Sequence, residues 1–291
     1  LGDEHRTDCL LRHDARVGDD EELRKLAQRL CEVDGMVGVL LGGSRARGEH
    51  MPESDFDLGL YYRGPLDIDA LQDLARAVAG PEARVTRPGE WGPWVDGGGW
   101  LHIGGVAVDW IYRDLDRVRR SWDDAQAGRY DFHFQIGHPL GVPDFAYVGE
   151  VALGVVLADP SGQIAVLQQA ARHYPSRLRD ALIAGLWEAS FTIDSARKAV
   201  SREDTAYVAG CLFRVVEVCA HALHGHAGKW LINEKGAVAS AGRLPGAPAR
   251  FAERAQDVLA HLGATPGELG NAIASAAELL ADTKTACQPS R

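Results

Sequence analysis

The sequence predicts a chain in two parts, an α/β half followed from about residue 145 by a half that is all helix. Three observations carry this reading. Short runs such as "VGVLL" (37–41) and "SDFDLGLYY" (54–62) are dense in apolar and aromatic residues and bounded by glycine-rich turns, as strands are. Helical patterns, "EELRKLAQRLCEV" (21–33) and "LDIDALQDLARAVA" (66–79), alternate with them. From "DFAYVGEVALGVVLA" (144–158) onward nearly every segment keeps helical apolar spacing, with Pro and Gly at the breaks.

Taken in order, residues 21–33 read as a first helix and 37–41 as a first strand, followed by the glycine-serine turn "GGSRARG" (42–48). Residues 54–62 form a second strand, 66–79 a helix, and "GGWLHI" (98–103) and "VAVDWIY" (106–112) two further strands. Gly104-Gly105 joins the last two, a dipeptide that supplies the positive φ angles of a tight hairpin. "GRYDFHFQIGHPLGVPD" (128–144), rich in glycine, proline and histidine, reads as a connector. Long helical patterns follow at 175–200 and 205–225.

Composition narrows the function. The 291 residues are 46% hydrophobic, enough for one large or two ordinary cores. A formal net charge of -10 disfavours a nonspecific grip on nucleic acid and suits a small substrate, a cationic one included. Five cysteines (Cys9, Cys31, Cys211, Cys219, Cys287), an odd number without a C-x-x-C pair, suggest a reducing, cytoplasmic setting. No membrane is expected: no apolar run is read as approaching the roughly 20 residues of a bilayer span, and "LGDEHRTDCLLRHD" lacks the apolar centre of a signal peptide.

The second strand alternates acid with apolar residues. Its period of two places Asp55, Asp57, Gly59 and Tyr61 on one face and Phe56, Leu58, Leu60 and Tyr62 on the other. Carboxylates two residues apart on a strand, roughly 7 Å at Cβ, repel one another unless they share a cation. Oxygen ligands of this kind suit Mg²⁺, which takes one or two carboxylates together with substrate phosphates. The turn ahead of the strand offers a place for phosphate: glycines permit close backbone approach, and Ser44, Arg45 and Arg47 add donors and positive charge. It is not a Walker A loop, because it lacks G-K-[ST]. A third acid on a neighbouring strand would complete a site for in-line transfer between oxygens with two ions. Asp109, alone in the apolar run "VAVDWIY", is that acid.

Gly43-Ser44, ten residues, Asp55-Phe56-Asp57 and a later Val108-Asp109-Trp110 together resemble the DNA polymerase β nucleotidyltransferase superfamily. In architecture the helical half is most similar to the kanamycin and lincosamide nucleotidyltransferases. The resemblance implies a nucleotidyltransferase domain with a mixed sheet at 20–140 and a substrate-binding helical bundle at 145–287. It implies that Gly43 and Ser44 hold the triphosphate of ATP or another NTP and that Asp55 and Asp57 ligate Mg²⁺, two ions in all. Asp109 would be the third ligand or the base that deprotonates an acceptor hydroxyl. The reaction implied is transfer of a nucleoside monophosphate, AMP expected, to a small-molecule acceptor of aminoglycoside type, with release of pyrophosphate and a role in antibiotic resistance.

Further candidates lie in the helical half. Lys235, in "KWLINEKGAV", could reach the triphosphate and neutralise charge. The resemblance calls for a glutamate base there, and Glu188, Glu217 and Glu234 could each serve; Glu217, an acid amid apolar residues in "LFRVVEVCAHAL", is the first candidate. Arg214 and His221 fit the short R-x4-6-H pattern of HEPN ribonucleases, so the alternative is a nucleotide-binding or toxin-antitoxin module with a HEPN-like helical domain and a protein or RNA target. Cys219, His221, His224 and His226 hint at zinc, but their spacing does not place two histidines at i, i+4. Tryptophans at 91, 94, 100 and 110 could stack a base or a sugar or merely cap the sheet, and His133 and His138 sit in the connector.

Overall fold

The computed structural model describes residues 20–48, 51 and 54–288; Cys9 and the N-terminal stretch read for a signal sequence lie outside them. Two compact units form, one from the residues up to Arg117 with Leu153–Gln168, the other from Val118–Ala152 with those from Gln169 onward. The first unit holds α1 (Asp20–Leu30), β1 (Met36–Leu41), the single turn α2 (Gly43–Ala46), β2 (Phe56–Tyr62), α3 (Ile68–Ala79), β3 (Gly98–Ile103) and β4 (Val106–Asp114). Helix α4 (Leu115–Gln126), capped at its start by Asp114 Oδ1, which accepts from Asp116 N at 2.9 Å, leads out of it.

Next come β5 (Phe132–Gln135), β6 (His138–Pro143) and α5 (Ala146–Leu153) in the second unit, then β7 (Val155–Ala158) back in the first. The region expected to be a bare connector is thus a hairpin, its two-residue turn made by Ile136 and Gly137, the latter at φ 84°. The stretch around Val155, expected to be helical, is a strand paired antiparallel to β1, with Leu41 opposite Val155 and Val39 opposite Ala158. Four apolar residues after Gly154 are too few to display a period, and β-branched Val155 and Val156 favour the strand.

The five-stranded sheet has the order β3-β4-β2-β1-β7, with β2 and β4 parallel and every other pair antiparallel. It is the mixed sheet the resemblance implied. Gly104 and Gly105, at φ 60° and 83°, close the β3–β4 hairpin. Leu23, Leu26, Ala27 and Leu30 of α1 and Leu71 and Ala75 of α3 pack on one sheet face with Phe56, Leu58, Leu60, Tyr62, Val108, Trp110 and Tyr112. Asp67 caps α3 by accepting from Ala70 N at 3.0 Å. The face bearing Asp57 is less simple than the alternation suggested, because Gly59 and Tyr61 on it are also buried.

The second unit continues with α6 (Gln163–Ala171), which starts in the first, then α7 (Ser176–Ala184), α8 (Leu186–Ala199), α9 (Thr205–His226), α10 (Ala237–Ala241), α11 (Phe251–Ala260) and α12 (Pro266–Ala286). α9 is its axis, packed by α7, α8, α10, α11 and α12. By length and composition alone α9 could cross a membrane, contrary to the expectation that no run is apolar enough; its apolar length is matched by the helices wrapped around it. A reciprocal capping box between Thr265 and Glu268 starts α12.

The sheet core centres on Trp110, whose side chain is fully buried. Trp110→Ala should destabilise the sheet unit by about 3–5 kcal/mol, the range for emptying a large aromatic site. Urea unfolding followed by near-ultraviolet dichroism checks it; a midpoint unchanged from wild type would contradict this account of the core.

Candidate active site

Asp57 on β2 and Asp109 on β4 are direct partners in the parallel pair, and Asp55 stands one residue ahead of β2. Burial of Phe56, Leu58, Val108 and Trp110 on the opposite face leaves the acids no choice of side. Oxygens of Asp55, Asp57 and Asp109 all lie within 4.8 Å of one another, with Asp55 exposed and the other two half-buried. Partial burial raises the Asp109 carboxyl above its usual range and the charge of Asp55 raises it further, while His102 acts against both.

The donor set is three hard oxygens at short separation, which fits a divalent cation such as Mg²⁺ and no soft metal. The turn after β1 fits closely against it. Gly42 N donates to Asp57 O at 2.8 Å, and Gly43 has φ 63°, where L side chains are strained. A Cβ on Gly43 would lie 1.7 Å from Asp57 Oδ2, so only glycine lets this backbone come so close to the acid. Ser44 follows in α2, half-buried. The structure therefore brings together Gly43, Ser44, Asp55, Asp57 and Asp109.

Arg45, expected to face phosphate, donates from its Nε to the carbonyls of Ser54 and Asp55 at 3.0 Å, and its guanidinium lies 3.8 Å from the centre of the Phe56 ring. It braces the backbone that presents Asp55, a positioning task. Trp100 was missed as a neighbour of the acids: it is the direct antiparallel partner of Asp109. The signal was present, since counting four residues back from Gly104 and four forward from Gly105 pairs these two positions.

The other candidates belong to the second unit and are described within it. Glu217 is 3% exposed, and its Oε2 has no hydrogen-bond partner. Burial first, and then the charge of Glu234, push its carboxyl up to about 7. Glu234 pairs with His138 at 3.3 Å; burial raises its carboxyl, but His138, its own backbone N–H and the charge of Lys235 together leave it below its usual range. Glu188 forms an ion pair with Arg214. Lys235 is exposed, beside Glu234 in sequence.

His221 is 2% exposed, held edge-on by Phe132 and Phe145 at 5.1 and 5.8 Å, so it lacks the water contact a ribonuclease base requires. His224 is bonded to Ala220 O and Ser240 Oγ. Among the described residues Cys219 and these histidines form no metal cluster. His133 faces Asp144 at 3.6 Å in the hairpin.

The raised Glu217 carboxyl has a pH signature. Its folded value of about 7 exceeds its ordinary 4.5, so its contribution to stability is full below 4.5 and is lost as pH rises toward 7. Glu217→Gln, which mimics the protonated form, should gain on the order of 1–3 kcal/mol over wild type at pH 8 and nothing at pH 4.5. Urea unfolding of both proteins at the two pH values measures it; a difference independent of pH would contradict the burial argument.

Residues 23–87 match the nucleotidyltransferase domain, a stretch that includes Gly43, Ser44, Asp55 and Asp57, and residues 144–235 match a domain of unknown function (DUF4037). No curated protein matches the chain. A solved structure of a nucleotidyltransferase-like protein from Exiguobacterium sibiricum 255-15 is similar at 12% identity, covering 90% of this chain and 74% of that one, with a TM-score of 0.45. Nothing in these comparisons links the chain to aminoglycosides or to antibiotic resistance. The chain carries a nucleotidyltransferase domain with a carboxylate triad.

Proposed function

We propose that the protein is a Mg²⁺-dependent enzyme that moves a nucleoside monophosphate, AMP the expected one, from a nucleoside triphosphate to a hydroxyl of a small molecule. One observation carries this reading: three carboxylates converge within 4.8 Å beside a turn that has no room for a side chain at Gly43. Asp55 and Asp57 would hold the ion that accompanies the triphosphate, with Asp109 completing a catalytic ion or serving as the base; the metal supplies neutralisation of phosphate charge as it develops. Gly43 and Ser44 place backbone and hydroxyl donors at the triphosphate. Arg45 keeps the Ser54–Asp55 backbone from shifting as the acids take up their ligand.

In the step itself the acceptor oxygen bonds to the α-phosphorus while the bond to the bridging oxygen of the β-phosphate breaks, and pyrophosphate leaves. The hydroxyl proton passes to a carboxylate. Asp109, half-buried on β4, is the first candidate, and Glu217 is the second. The aminoglycoside-like acceptor rests on the sequence resemblance alone, so the reading keeps to a small hydroxyl compound. A HEPN-type ribonuclease is disfavoured by the burial of His221 and the pairing of Arg214 with Glu188.

Binding and chemistry should separate by residue. Gly43→Ala and Asp57→Asn should weaken affinity for a non-hydrolysable Mg-triphosphate at least tenfold, whereas Asp109→Asn should leave it within about threefold of wild type. Turnover in Asp109→Asn should nevertheless fall by the roughly 10²-fold typical of a lost acid-base group. Calorimetry beside pyrophosphate release from an acceptor pool checks both. Wild-type turnover in Asp109→Asn would move the base elsewhere, with Glu217 next to test.

A further inference from the structure

The order of the strands gives the triad two unlike flanks. Along the sheet, the turn containing Gly42 and Gly43 leaves β1 and abuts Asp57 on β2; Asp109 follows on β4, and Trp100 on β3 is next. Direct partners on neighbouring strands point to the same side, so Asp57, Asp109 and Trp100 form one transverse row at strand spacings of about 4.8 Å. Burial agrees: Leu101 and Ile103 of β3 are in the core, while Trp100 and His102 alternate outward.

Trp100 is 70% exposed, unlike the fully buried Trp110 on the core face. It is also braced. Trp91 stacks on it with ring centres 4.3 Å apart and planes 15° from parallel. Gly98, two residues earlier on the same face, is close-packed: a Cβ there would collide with the Trp110 carbonyl oxygen at 1.8 Å and would meet the Trp91 ring at 3.1 Å. One indole face is thus backed by a second indole, and the remaining face and edges stand in solvent beside Asp109. A rigid aromatic surface of this kind, left open beside catalytic acids, is a stacking platform in search of a flat partner.

In-line transfer decides which partner. The entering oxygen and the departing pyrophosphate must lie on opposite sides of the phosphorus under attack. With the triphosphate on the Gly43 flank, the acceptor enters from the flank of Trp100. We propose that Trp100, backed by Trp91, is the platform on which the acceptor lies, and that the acceptor hydroxyl is therefore carried on a ring with a flat face, either a C–H face as in a sugar or an aromatic one. This rests on the nucleotidyl-transfer reading given above. Trp100 is a specificity-determining residue in this scheme; the flat face aligns the ring so that its hydroxyl meets Asp109.

The test saturates the protein with Mg²⁺ and a non-hydrolysable triphosphate, then titrates ring probes (methyl glucopyranoside, myo-inositol, N-acetyltyrosinamide) and open-chain ones (glycerol, sorbitol) by saturation-transfer NMR. Ring probes should bind and open-chain probes should not, the sugar and tyrosine arms telling which kind of face is preferred. Trp100→Ala, an exposed change that leaves the core intact, should weaken ring binding at least tenfold; Trp100→Phe should retain most of it; affinity for the Mg-triphosphate should not move. Trp187→Ala, an exposed tryptophan of α8, should change nothing. The platform is overturned if ring probes bind no better than open-chain ones, if Trp100→Ala binds them normally, or if Trp100→Ala loses the nucleotide instead. Wild-type protein that fails to bind the Mg-triphosphate overturns the function reading itself, a distinct result.

Discussion

Mutual repulsion among Asp55, Asp57 and Asp109 is the constraint around which the sheet unit is arranged. At separations of up to 4.8 Å, ionised carboxylates repel one another. Such a cluster persists only where something else holds the strands in register. Here that is the apolar face, on which Phe56, Leu58, Val108 and Trp110 are locked beneath α1 and α3. A one-residue slip of β2 against β4 would turn the acids of β2 toward the core and its core residues outward. The core therefore stabilises the fold and also holds the acids at short range, where a divalent cation would relieve their repulsion.

Glycine sets the second requirement of the site. Gly43 brings backbone against Asp57 where any side chain would collide with the carboxylate, and a Cβ at Gly98 would collide with the Trp110 carbonyl oxygen of the neighbouring strand. Arg45 contributes from the side, using its charge on the backbone carbonyls of Ser54 and Asp55.

Much of this was legible in the chain. The alternation in "SDFDLGLYY" separated the acids from the core face, and the Gly104-Gly105 turn settled the β3–β4 register and with it the Trp100–Asp109 pairing. The partnership of Asp57 with Asp109 was not readable in the same way, because no turn joins parallel strands β2 and β4 and so no residue count sets their register. Nor was β7, where four apolar residues cannot reveal a period and the pairing partner lies over a hundred positions earlier. The reach of Arg45 to carbonyls nine and ten residues on was not legible, because it is a tertiary fact that its place in a glycine turn does not reveal. In the helical unit, Glu217 was legible as an acid amid apolar residues, but the fate of His221 between two aromatic rings was not.

The central claim, that the three carboxylates form a metal site serving a triphosphate, is tested most directly by Mn²⁺ binding followed by electron paramagnetic resonance, with and without a non-hydrolysable triphosphate. The account predicts that wild-type protein binds Mn²⁺, that the triphosphate tightens this binding, and that Asp57→Asn abolishes the tightening. Mn²⁺ binding that is identical in wild type and Asp57→Asn, and indifferent to the triphosphate, would contradict it.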